Sequence, residues 1–171
     1  MLTALVGALA LAAPASAGNA IAVSGTQTTI DENAGTYKVD GGLIGDWRTT
    51  SVKTLASSPL YRAGGTERFT GCLDRGRDGS CAGDPSGSLS FSFRYWGKFG
   101  PNDALIWGSC WHPIRGGTGS FAGATGVLTF IDTPTATGVT TAYIGNVTLA
   151  GRAAARRSAR ASAVHPGCGG A

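Results

Sequence analysis

Histidine is scarce in this chain: only His112 and His165 are present, beside a single methionine. A structural or catalytic zinc site draws on three or four close ligands, and His165 falls in a terminal segment. A multi-histidine metal site in the core is therefore excluded, and nothing implies a cofactor. There is no Gly-x-Ser-x-Gly sequence, which excludes the serine elbow of α/β-hydrolases. Long apolar runs are missing beyond the first seventeen residues, and a spanning helix needs roughly 20, so no membrane anchor is expected. Charge is thin as well. Between Gly18 and Leu149 three lysines and seven arginines balance ten acidic residues, and the net +4 resides in Arg152, Arg156, Arg157 and Arg160. The sequence pI of about 9.1 therefore describes the tail, and no nucleic-acid surface is implied. Helical periodicity is confined to the two ends.

What is present begins with Met1 to Ala13, an apolar stretch closed by Pro14 and Ala15-Ser16-Ala17. That is the pattern of a signal peptide over residues 1–17 with a small-residue cleavage site, although nothing basic precedes its core. The expected product is a secreted protein starting at Gly18. Its four cysteines, Cys72, Cys81, Cys110 and Cys168, are an even set suited to an oxidising compartment. Cys72 and Cys81 flank a polar, turn-rich stretch that a bridge could close, stabilising the fold by roughly 2.5 to 3 kcal/mol. Cys110 either pairs with Cys168 or is a free buried thiol.

The body of the chain alternates apolar and polar residues. In Leu89-Ser90-Phe91-Ser92-Phe93-Arg94-Tyr95-Trp96 the period is two, as in a half-buried antiparallel strand. Gly97 to Asp103 supplies turn residues before the pattern resumes over Ala104 to His112, so these two segments predict a hairpin. Further strands are expected over Ala34 to Val39, Leu43 to Thr54, Leu60 to Cys72, Ala124 to Asp132 and Val139 to Leu149. Short strands at such spacing give an all-β sandwich or barrel. One domain over residues 18–150 follows. The Ala/Arg/Gly-rich segment 151–171 has no aromatic residue to bury and reads as a disordered tail.

The segment Gly116-Gly117-Thr118-Gly119-Ser120-Phe121-Ala122-Gly123-Ala124-Thr125-Gly126-Val127-Leu128-Thr129-Phe130 resembles the Gly-rich turn and following strand of the allene oxide cyclase and dirigent barrel superfamily. Tyr143 to Leu149 is similar to that family's last strand, and Gly42 to Trp47 and the hairpin extend the likeness over roughly residues 34–149. The resemblance implies a single antiparallel eight-stranded barrel whose interior can receive an apolar small molecule. Members include a cyclase acting on a fatty-acid epoxide and proteins that steer phenoxy-radical coupling. No catalytic residue of either branch is carried over to this sequence. Independently of the family, clustered glycines allow sharp barrel corners and close backbone approach, with Phe121 placed to plug the barrel end.

Several motifs reduce to turns or strands. Gly117-Thr118-Gly119-Ser120-Phe121-Ala122 matches a dinucleotide fingerprint, but a strand pattern follows where that site needs a helix. Asp74, Asp78 and Gly79 sit at calcium-loop positions, while Gly76 and Pro85 occupy two ligand positions, so a solvated turn is expected. Cys110 and His112 share a strand face, as a thiol and base would, or as a structural cysteine beside a strand-end histidine.

The aromatic residues carry more. If Phe91, Phe93 and Tyr95 point inward, alternation adds Trp47, Phe69, Trp107, Phe130 and Tyr143, which line a ligand cavity or fill a packed core. Glu67 shares the face of Phe69. It is the weak candidate for a general acid or base, with Tyr95 or Tyr143 polarising a substrate, or else a strand-end partner of Arg62 or Arg48. The expected function is a secreted barrel binding a small apolar or aromatic molecule. The alternatives are a cyclase or isomerase using Glu67, and a structural extracellular protein with a filled core whose outer face, bearing Arg94 and Trp96, meets a partner.

Overall fold

Alternation with period two over most of the chain leaves each strand one apolar face to bury, and a sheet closed on itself buries all of these faces at once. The computed structural model, which describes residues 18–57 and 59–151, has this form. Eight strands follow one another: β1 (Ala20–Asp31), β2 (Thr36–Gly41), β3 (Leu43–Ala56), β4 (Tyr61–Leu73), β5 (Ser86–Phe99), β6 (Leu105–Gly119), β7 (Thr125–Thr135) and β8 (Gly138–Thr148). Each pairs antiparallel with the next, and β8 pairs back onto β1 to close the barrel. A single 3₁₀ turn, Pro101–Asp103, joins β5 to β6. Register shifts at Thr49/Ser51, Thr54/Ala56, Ser90/Phe91 and Lys98/Phe99 mark bulges, the devices that bend strands into a closed sheet.

Inward residues from all eight strands meet in one core along the barrel axis. Trp47 stacks on Phe91 with ring centroids 4.5 Å apart and lies 5.0 Å from Phe130, which in turn stacks on Tyr143 at 5.4 Å. Each such ring pair adds roughly 0.5 to 1.5 kcal/mol beyond area burial. One end of the barrel is sealed. Leu43, Leu73, Leu89, Phe121, Leu128 and Val147 are fully buried there, and Phe121 sets its edge against Phe69 at 6.2 Å. The seal depends on Gly117, because a Cβ there would lie 2.5 Å from the Ser88 carbonyl oxygen and 2.7 Å from the Phe121 Cβ.

Three details differ from the sequence reading. Strand β1 was not anticipated, because only Val23 on it is buried and Thr and Gln dilute its alternation. Strand β6 runs on to Gly119, so Gly116 to Gly119 belong to a strand end and the turn is Ser120 to Ala124. The β4–β5 loop is more than a solvated turn. Cys72 and Cys81 are bridged, and buried Asp74 accepts backbone N–H bonds from Asp78 (3.3 Å) and Gly79 (2.9 Å), which commits its carboxylate to the loop. Cys110 is a buried thiol with no bridge to any described residue. The expected signal peptide, the tail from 152 onward, Cys168 and His165 lie outside the described residues.

Candidate functional site

At the end opposite the seal the barrel is open, and its floor carries a carboxylate. Alternation on β4 turns Glu67 inward with Phe69, while β3 brings Trp47 and Thr49, and β6 brings His112. Glu67 Oε2 accepts from Trp47 Nε1 at 2.7 Å and from His112 Nε2 at 2.8 Å, and Oε1 accepts from Thr49 Oγ1 at 3.1 Å. His112 is packed between aromatic rings, 4.5 Å from Phe130 and 6.0 Å from Phe93 by centroid. Its Nε2 faces Glu67, and its buried Nδ1 has no hydrogen-bond partner among the described residues. Such an arrangement fixes the imidazole and holds the carboxylate oriented at the base of the mouth, where Glu67 could take up a proton from a molecule above it and return it.

Above Glu67 lies a cavity of about 700 Å³ walled by Tyr37, Tyr61, Phe93 and Tyr95, with Glu32, Thr49 and Asp132 among its polar lining. A second cavity of about 890 Å³, reaching Phe99, Asp103 and Thr141, shares Glu32, Tyr37, Tyr95 and Asp132 with the first. The two are therefore parts of one mouth. Asp132 accepts from Thr141 Oγ1 at 2.7 Å. Gly108 makes room for its other neighbour: a Cβ there would lie 2.4 Å from the Tyr95 hydroxyl and 2.7 Å from Asp132 Oδ2. Burial, then the charge of Asp132 and a hydrogen bond to it, push the Tyr95 phenol well up. Burial also raises Tyr37, to which Glu67, Glu32 and Asp132 add. Both phenols thus stay neutral donors across the physiological range.

The residues named from sequence separate into three groups. Glu67, Phe93 and Tyr95 line the mouth. Trp47, Phe69, Phe91 and Phe130 are packed beneath it as core. Tyr143 belongs with them: its hydroxyl accepts from Leu43 N–H at 2.8 Å and lies 3.0 Å from the Asp40 carbonyl oxygen it donates to, so it holds the β2–β3 corner instead of facing a ligand. Trp107 is misplaced by the sequence reading. It follows the outward parity of Ser109 and Trp111, is 41% exposed, and lines neither cavity.

Two pairings also change. Arg48 and Arg62 are exposed on the outward parity of β3 and β4, so neither reaches inward Glu67, whose partner is His112. Cys110 does share the inward face of His112, but burial, with Glu67 and Asp132 nearby, pushes its thiol far up, leaving it protonated and a poor nucleophile. Sequence reasoning missed His112 as the partner of Glu67, and Tyr37, Tyr61 and Asp132 as lining. The last three were accessible by parity, each lying two residues from a buried inward neighbour, Val39, Ala63 and Phe130.

The fold and site define a closed eight-stranded meander barrel with one sealed end and one open, carboxylate-floored mouth. Comparison with family models, curated proteins and solved structures finds no match to this chain.

Proposed function

We propose that this protein is secreted and binds a small molecule with an aromatic or apolar body in the open mouth of its barrel. The observation that carries the reading is the 700 Å³ cavity with rings on its wall and a fixed carboxylate on its floor. That volume falls among small-molecule sites, which combine an apolar wall with a few convergent polar groups. The signal-like leader and the Cys72–Cys81 bridge support an oxidising, extracellular setting. The likeness to allene oxide cyclase and dirigent barrels supports an interior that receives small molecules, and we retain membership of that superfamily as part of the proposal.

A second reading is favoured by the Glu67–His112 pair itself. A carboxylate held in place by a buried imidazole and an indole N–H is equipped to take a proton from one atom of a bound molecule and return it to another, as an isomerase or cyclase needs. The test for both is titration of the protein with phenolic, polycyclic and aliphatic compounds followed by calorimetry, then by product analysis. Binding weakened about tenfold or more by Phe93→Ala supports the mouth. Absence of binding by every compound at millimolar concentration removes it. Conversion of a bound compound that stops in Glu67→Gln selects the enzyme, and unchanged compound after long incubation selects the binder.

A further inference from the structure

We infer that the molecule this mouth takes is an organic cation, an ammonium or similarly charged group on an aromatic or alkyl body. The inference rests on the reading of the mouth as a binding cavity and names the charge of its ligand. Two independent features of the lining carry it.

The first is an uncompensated negative charge. Glu32, Glu67 and Asp132 line the first cavity and Asp103 the second, while neither is lined by a lysine or an arginine. Glu67 has a side chain only 10% exposed, yet its bridging partner is a histidine and not a permanent cation. Among the described residues the Lys and Arg ion pairs, Lys38–Asp46 and Arg75–Asp84, are formed elsewhere. This follows from alternation: Arg48, Arg62, Arg68 and Arg94 fall on the outward parity of β3, β4 and β5 and are exposed. The folded body is neutral by count, but Glu32, Glu67, Asp103 and Asp132 line the mouth while these four arginines stand on the outer wall. Field lines focus in such a concavity and favour a ligand of opposite sign.

The second feature is the wall. Tyr61 packs edge-to-face with Tyr95 at 6.0 Å and 64° and with Phe99 at 5.9 Å and 90°, and all three rings line the mouth. With Tyr37 and Phe93 they offer π faces, whose negative quadrupole attracts a cation within about 6 Å. Hydrophobic burial alone would be served equally well by Leu or Val. An anionic amphiphile would add charge to carboxylates that already repel one another. A bare metal ion is also a poor fit, because no three His, Cys, Asp or Glu side chains among the described residues converge on one point; the carboxylates ring a space of molecular size.

The test is calorimetric titration of the full chain with three probes of similar shape: benzyltrimethylammonium, its uncharged carbon isostere neopentylbenzene, and 3-phenylpropionate. The cation is expected to bind at least about tenfold more tightly than the neutral probe and to weaken severalfold as sodium chloride is raised to about 0.5 M. Asp132→Asn and Glu32→Gln should each weaken it about threefold or more with unchanged melting. These two are chosen because Glu67 also anchors Trp47 and His112. Equal or tighter binding of the neutral or anionic probe overturns the charge assignment and leaves the mouth a binding site. Failure of the cation to bind at millimolar concentration overturns it too. That result removes the mouth reading as well only if the phenolic, polycyclic and aliphatic panel also fails.

Discussion

The two ends of this barrel are built from the same strands by opposite rules. At the sealed end, apolar side chains converge on Phe121, glycine lets backbone approach backbone, and a disulfide and the Asp74 carboxylate pin the loop outside. At the mouth, inward positions carry tyrosines and carboxylates, and a cavity of about 700 Å³ opens above Glu67. The boundary is a single layer in which Trp47 and His112 both donate to Glu67. Apolar packing is thus concentrated at one end and polar, titratable side chains at the other.

Substitutions should divide along that boundary. Phe121→Ala removes the plug and should lose roughly 3 to 5 kcal/mol, read by denaturant unfolding. A loss under about 1 kcal/mol would mean that the sealed end is not where the stability lies. Opening the loop with Cys72→Ala and Cys81→Ala together should lose about 2 to 4 kcal/mol, with ligand affinity at the far mouth unchanged.

At the boundary, Glu67→Gln keeps the shape but replaces an ionised acceptor for two donors, and should lose about 1 to 3 kcal/mol. Restoration by Glu67→Asp is not expected, since the shorter chain cannot reach both Trp47 and His112. Beyond it, Asp132→Asn should change stability by about 0.5 kcal/mol or less, because it relieves repulsion while keeping an acceptor for Thr141. A larger loss there would extend the structural region into the mouth.

Burial raises phenols at both ends, Tyr37 and Tyr95 at the mouth and Tyr143 in the sealed half, so alkaline pH weakens both. Burial pushes Tyr143, which ties the β2–β3 corner of the sealed half, up to about 12. Its folded state therefore binds more protons than the unfolded chain between about pH 10 and pH 12. The sign is that this stability is fully present below about pH 10 and is lost as pH rises through 12. Melting followed from pH 8 to 12 should fall in that window, and Tyr143→Phe, though less stable at neutral pH, should fall less steeply.

Much of the architecture was legible in the residues. Alternation in Leu89 to Trp96 gave the inward face of β5, turn residues gave the β5–β6 connection, and the spacing of Cys72 and Cys81 gave the bridge. What stayed hidden depended on register or on depth. Glu67 and His112 sit on strands that are not neighbours, so no local pattern links them, and each was matched with its nearest plausible partner in sequence. Trp107 has the composition of a core residue, and only its odd spacing from inward Cys110 places it outside. Strand β1 was missed because a strand with one buried side chain has almost no pattern to read.

Closure of β1 onto β8 has a practical corollary. Ala20 pairs with Thr148 and Gly18 lies against Leu149, so the two ends of the barrel sheet lie side by side on the sealed rim, away from the mouth. A tether attached to a barrel segment cut at residues 18 and 149 would leave the mouth pointing outward and unobstructed. The same adjacency allows a short linker to join residues 18 and 149, with new ends opened at the Pro101–Asp103 turn, yielding a circular permutant with every strand pair retained.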